Sequence, residues 1–164
     1  MKKIILACLF LFSCAEKGPN IPPVQNFEID KYLGEWYEIA RTDNAFERGC
    51  TDVKAVYTMR DKSGINVLNS CVIKGKKREA KGIAHFKGAK NVGELKVSFF
   101  RPFYGTYRVI YVDKNYQNAI VYGGSPKYIW ILSRTRDMDT LVLRKLFDKV
   151  KGFNLDEKSL IIEK

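Results

Sequence analysis

The chain is poor in histidine: His85 is the one His among 164 residues. No Cys or carboxylate stands at ligand spacing from it, which excludes a His-based zinc centre. Also missing are a Ser/His/Asp order, a phosphate-cradling Gly loop and a helical Glu-x-x-His. Triad hydrolysis, nucleotide chemistry and zinc proteolysis therefore have no residues to act through, and no cofactor is implied. Long apolar runs are missing as well. The run Ile4–Phe12 is far shorter than the roughly 20 residues a membrane-spanning helix needs. Proline is scarce, and three of the five fall within residues 15–26, a stretch without periodicity that reads as a tether.

Positive charge, by contrast, is plentiful: 29 Lys and Arg stand against 18 Asp and Glu, a formal +11. The cations are scattered through strands and turns without one dense run, which argues against nucleic acid as partner. The plain reading is a solvated surface, and the sharper one is attraction to anionic lipid headgroups. Hydrophobic residues make up 46% of the chain and aromatics 13%, enough for one globular domain with a sizeable core.

Met1-Lys2-Lys3 followed by a short apolar run is an export signal. Its end, Leu11-Phe12-Ser13-Cys14, resembles a bacterial lipoprotein signal, although Phe12 departs from the small residue usual there. That resemblance implies cleavage before Cys14 and acylation of Cys14. Two or three acyl chains hold a protein to a membrane where one alone does so only marginally. If the chain is processed as in Gram-negative bacteria, Ala15 after the Cys, in place of Asp, points to sorting to the outer membrane, with the chain facing the periplasm. The alternative is a plain secretory signal with an incidental Cys. The boundaries are then 1–13 for the signal, 14–26 for the lipidated tether and 27–164 for the folded domain.

From Phe27 onward, period-2 runs alternate with turn signals. Strands are expected near Glu35–Arg41, Asp52–Arg60, Ile65–Val72, Glu79–Lys87, Gly93–Phe100, Tyr104–Val112, Gln117–Gly123 and Tyr128–Ser133. Eight meandering antiparallel strands with short connections predict an all-β, up-and-down barrel able to hold one small ligand. Val142, Leu143, Leu146, Phe147 and Val150 then recur at helical spacing, with Asp139 as N-cap and Gly152 as stop. One C-terminal helix packed on the outside is expected, followed by a short strand near Ser159–Ile162. A large aromatic opening the first strand, Trp36, can meet an Arg closing the last, Arg134, and plug one barrel end by stacking.

Three motifs stand in order: Gly34-Glu35-Trp36-Tyr37, then Tyr111-Val112-Asp113-Lys114-Asn115-Tyr116, then Trp130-Ile131-Leu132-Ser133-Arg134-Thr135. With Phe46-Glu47-Arg48-Gly49-Cys50 and Val97–Gly105, they make residues 27 to about 162 resemble the lipocalins, and closely their bacterial outer-membrane lipoprotein subgroup. The resemblance implies a barrel-closing set of Gly34, Trp36, Asp113 and Arg134. It also implies a binding protein for small apolar ligands such as fatty acids, lysophospholipids or other membrane lipids.

With Trp36 fixed inward, alternation selects the interior. The first two strands contribute Glu38, Ala40, Val53, Ala55 and Tyr57, and the third Ile65, Val67 and Asn69. Ala84 and Phe86 follow, then Leu95, Val97 and Phe99, then Tyr107 and Val109. Ala119, Val121, Trp130 and Leu132 complete the set. Phe46, in the loop expected at the mouth, is the candidate gate. Glu38 is read as a partner of Arg134 or as a buried polar contact. Cys50 and Cys71 fall near each other at the open end of one hairpin, so an exported chain is expected to join them. Two free thiols, or one acting as a nucleophile, are the alternatives. Three function classes remain: a lipid carrier anchored at Cys14 in the cell envelope, an envelope lipoprotein with a filled barrel acting through its basic surface, and an enzyme using a barrel thiol or Glu38. The carrier is favoured and the enzyme disfavoured. The choice between monomer and homodimer stays open.

Overall fold

The computed structural model describes residues 18–61 and 64–163. Nine strands form one sheet: β1 (Gly34–Thr42), β2 (Thr51–Met59), β3 (Gly64–Ile73), β4 (Lys76–Phe86), β5 (Glu94–Phe100), β6 (Phe103–Val112), β7 (Asn118–Tyr122), β8 (Ile129–Ser133) and β9 (Leu160–Ile162). Each of β2 to β8 pairs antiparallel with its sequence neighbour, and β1 pairs with both β8 and β2, which closes the barrel. The expected eight-stranded meander is present, and β9 adds itself to β1 through Ala40↔Ile162.

Helix α1 (Ile29–Tyr32) precedes the barrel, and α2 (Thr140–Gly152) follows it. The Asp139 carboxylate accepts the Leu141 and Val142 amides and caps α2. Gly152, the expected stop, is the last helical residue, and the left-handed turn falls at Asn154 (φ 58°). Asn tolerates this region because its short polar side chain bonds locally.

Two apolar cores result. Inside the barrel, Tyr32, Trp36, Tyr57, Val109, Ala119 and Val121 pack together. Outside, Leu146 and Val150 of α2 meet Ile110, Ile120, Ile129 and Ile131 of the sheet. Two faces of one strand thus serve two cores, as period 2 requires.

The N-terminal stretch departs from expectation. The tether was expected over 14–26, but residues 18–26 lie along the barrel. Val24 donates to the Val109 carbonyl and accepts from the Gly93 amide, filling the gap between the start of β5 and the end of β6. Ile21 is buried in the outer core, and its carbonyl accepts from Arg108. A Cβ at Gly18 would collide with Tyr122 and Pro126. The expected acylation residue, Cys14, lies outside the described residues.

Candidate functional site

The barrel has a sealed end and an open one. At the sealed end Gly34 has φ 94°, a conformation suited to Gly, and lies against the Arg134 guanidinium. That guanidinium lies 3.9 Å above the Trp36 ring and donates to the carbonyls of Glu35, Lys31, Leu33 and Tyr116. Trp36 is fully buried, and its indole N–H donates to the Tyr32 carbonyl at 2.8 Å. Asp113 folds the adjoining turn by accepting the amides of Asn115, Gln117 and Asn118. Gly34, Trp36, Asp113 and Arg134 thus come together as one plug, roofed from below by α1.

Above the plug lies a cavity of about 120 Å³. Fifteen residues selected by alternation line it, among them Ala55, Tyr57, Val67, Asn69, Val97, Phe99, Tyr107, Val121 and Trp130. The others are Glu38, Val53, Ile65, Ala84, Leu95 and Leu132. Five candidates do not, Ala119 of the barrel core among them. Ala40 sits in the outer core, because a β-bulge between Glu38 and Ala40 reverses the parity of β1. Val109 and Phe86 pack in the barrel core without lining the cavity. Phe46 lies outside it, 64% exposed, with its ring 6.1 Å from that of Tyr128.

Sequence reasoning missed Ile29 and Tyr32 of α1, Glu47 of the mouth loop, and Lys54 and Thr106. Lys54 touches the cavity between Val53 and Ala55, while its ammonium bonds Glu35 at 2.9 Å and lies 6.0 Å from the Tyr37 ring centre. Tyr32, Tyr57 and Tyr107 form a hydroxyl chain with O···O separations of 2.7 and 2.8 Å. Burial pushes all three phenols up, so they remain neutral donors and acceptors. Asn69 Oδ1 is buried at the wall without a protein donor.

Glu38 does not reach Arg134. It lies 3.3 Å from Arg41, buried on the mouth side of β1. Arg41 also bonds Glu163 from the chain beyond β9 and the Glu47 carbonyl. The Glu47 carboxylate accepts from Trp130 Nε1 at 2.9 Å and from Asn44 at 2.6 Å, which ties the mouth loop to the cavity wall. Burial first, then the Glu47 charge and a shared hydrogen bond with it, raise the Glu38 pKa to about 10 against the opposing Arg41. Glu38 is therefore a protonated donor at neutral pH. Cys50 and Cys71 are joined in a disulfide with Cα atoms 5.5 Å apart, which ties the loop to the end of β3.

A closed antiparallel barrel with one plugged end and an apolar interior defines the class of single-ligand β-barrel cups. A family model described as Lipocalin-like domain matches residues 27–164. The chain belongs to the lipocalin family. It is 42% identical over 161 residues to Outer membrane lipoprotein Blc of Vibrio cholerae, covering 96% of this chain and 94% of that one. It is 45% identical over 133 residues to Outer membrane lipoprotein Blc of Escherichia coli K12, with coverages of 79% and 75%. Insecticyanin from the tobacco hornworm Manduca sexta shares the fold at TM-score 0.72 and 22% identity, covering 89% of this chain and 85% of that one.

Proposed function

We propose that this protein is a lipid-anchored lipocalin of the cell envelope that binds, stores or carries small apolar ligands, with fatty acids and lysophospholipids as the preferred class. The observation that carries the reading is the cavity itself, apolar along its walls and sealed at one end by the Trp36–Arg134 plug. The tyrosine hydroxyls, Asn69 and protonated Glu38 offer hydrogen bonds to a polar head without a fixed positive charge at the wall other than Lys54, which is held by Glu35 at 2.9 Å. Outer membrane lipoproteins among the relatives support an envelope location with acyl chains on Cys14. A binding protein fits better than an enzyme, because the disulfide consumes both domain thiols.

Native mass spectrometry of the mature chain, with extraction of what it carries, tests the reading. About one fatty acid or lysophospholipid per chain is expected, with roughly tenfold weaker uptake when Ala55→Phe fills the cavity. A chain that takes up no added lipid would overturn the carrier reading and favour a basic-surface role with a filled barrel.

A further inference from the structure

The sealed end is built from the starts of β1, β3, β5 and β7, so the turns that follow β1, β3, β5 and β7 all stand at the mouth. Two kinds of residue gather on this rim. Phe46, Phe99, Phe100 and Phe103 are the exposed large aromatics among the described residues, and Phe100 and Phe103 stack nearly parallel. None stands at the sealed end. Beside them Lys74, Lys76, Arg78 and Lys127 are exposed and have no acidic partner among the described residues. Aromatic rings interleaved with cations match the headgroup layer of a bilayer, where rings enter the interface and cations meet lipid phosphates.

The course of the N-terminal segment supplies the direction. Gly18 and Pro19 lie against Pro126 and Tyr122 at the mouth, and from there the chain descends along the outside of the barrel to α1. Cys14 stands four positions before Gly18, a reach of at most about 14 Å when fully extended. The barrel wall is about 25 Å tall, from tilted strands of nine to eleven residues. An anchor at Cys14 can therefore bring the mouth to the membrane but cannot bring the sealed end there.

We propose that the mouth rim is a docking surface for an anionic bilayer, held mouth-down by the short link to Cys14. This rests on the anchor in the function proposed above. Cargo then passes between bilayer and barrel under the rim, without crossing water. The basic β3–β4 turn and the stacked Phe100–Phe103 pair are the contacts that distinguish docking from mere tethering.

The test uses the full-length, processed protein in vesicles of phosphatidylethanolamine with phosphatidylglycerol. A fluorophore is placed at the mouth (Lys76→Cys) or at the sealed end (Lys114→Cys), and quenching by spin-labelled lipids is read. Docking predicts strong quenching at the mouth and background at the sealed end. Phe100→Ser with Phe103→Ser should at least halve the mouth signal, as should vesicles of phosphatidylcholine alone, while lipid uptake by the barrel persists. Equal quenching at both sites on an acylated chain would overturn the docking alone. An unacylated Cys14 would overturn the anchor and the docking together, and loss of lipid uptake in the parent chain would count against the carrier reading instead.

Discussion

The two ends of this barrel solve opposite problems with the same kinds of groups. At the sealed end one cation, Arg134, faces four backbone carbonyls and an indole. At the mouth one cation, Arg41, faces the carboxylates of Glu38, Glu163 and Glu47. Carbonyls cannot titrate, so the acceptors that hold Arg134 keep their charge state at any pH. Carboxylates can, and crowding them around one guanidinium in a buried site forces a proton to stay. The closed end is thus fixed by neutral acceptors, while the mouth is latched by groups that respond to solution conditions and by a disulfide. A ligand-binding cup needs this asymmetry: a floor that never opens and a lip whose hold is adjustable.

The largest expected break falls on the floor. Arg134→Ala strands four carbonyls and uncovers Trp36, and should destabilise the fold by about 3–5 kcal/mol in urea unfolding. Arg134→Lys should recover only part of this, because an ammonium cannot reproduce the planar fork or the stacking. On the lip, replacing Cys50 and Cys71 by Ala releases a loop of 21-residue separation and should cost about 3 kcal/mol by the chain-entropy argument. Lipid uptake should survive, because neither sulfur lines the cavity.

Glu38→Gln sharpens the comparison through pH. The Glu38 carboxyl is protonated in the fold up to about pH 10 and ionises near the ordinary carboxylate range once unfolded. Between those values the folded chain holds more proton, so wild-type stability falls as pH rises through that window. The glutamine variant keeps a neutral donor and should show a flatter profile, its advantage growing from about pH 5 to about pH 9 in urea midpoints. Phe46→Ala should have the smallest effect. Its exposed ring is expected to leave stability within about 0.5 kcal/mol and to alter the rate of ligand entry measured by stopped-flow fluorescence.

Most of the wall was legible because a strand with one buried face must alternate, and fixing Trp36 inward set the parity of the rest. Ala40 shows where that logic ends: a bulge adds one residue, and nothing in Glu38-Ile39-Ala40 announces it. Residues 29–32 are too few to show a helical period, so α1, which brings Tyr32 beneath the cavity, could not be read. Glu47 belongs to a loop, where no period assigns a side chain to either face. The docking of residues 18–26 depends on backbone bonds to Gly93 and Val109, partners more than 60 positions away. Proline content correctly marked that stretch as irregular, but irregular chain can still be held in place. The pairing of Cys50 with Cys71 was legible because one hairpin brings both to its open end.

Hydrogen–deuterium exchange on the full chain, with and without added fatty acid, tests the asymmetry most directly. The account predicts that the plug amides in 29–36 and 113–118 exchange slowly in both states, while the mouth loop 43–50 and the cavity strands gain protection on loading. Fast exchange at the plug, or protection gained only there while the mouth stays unchanged, would contradict it.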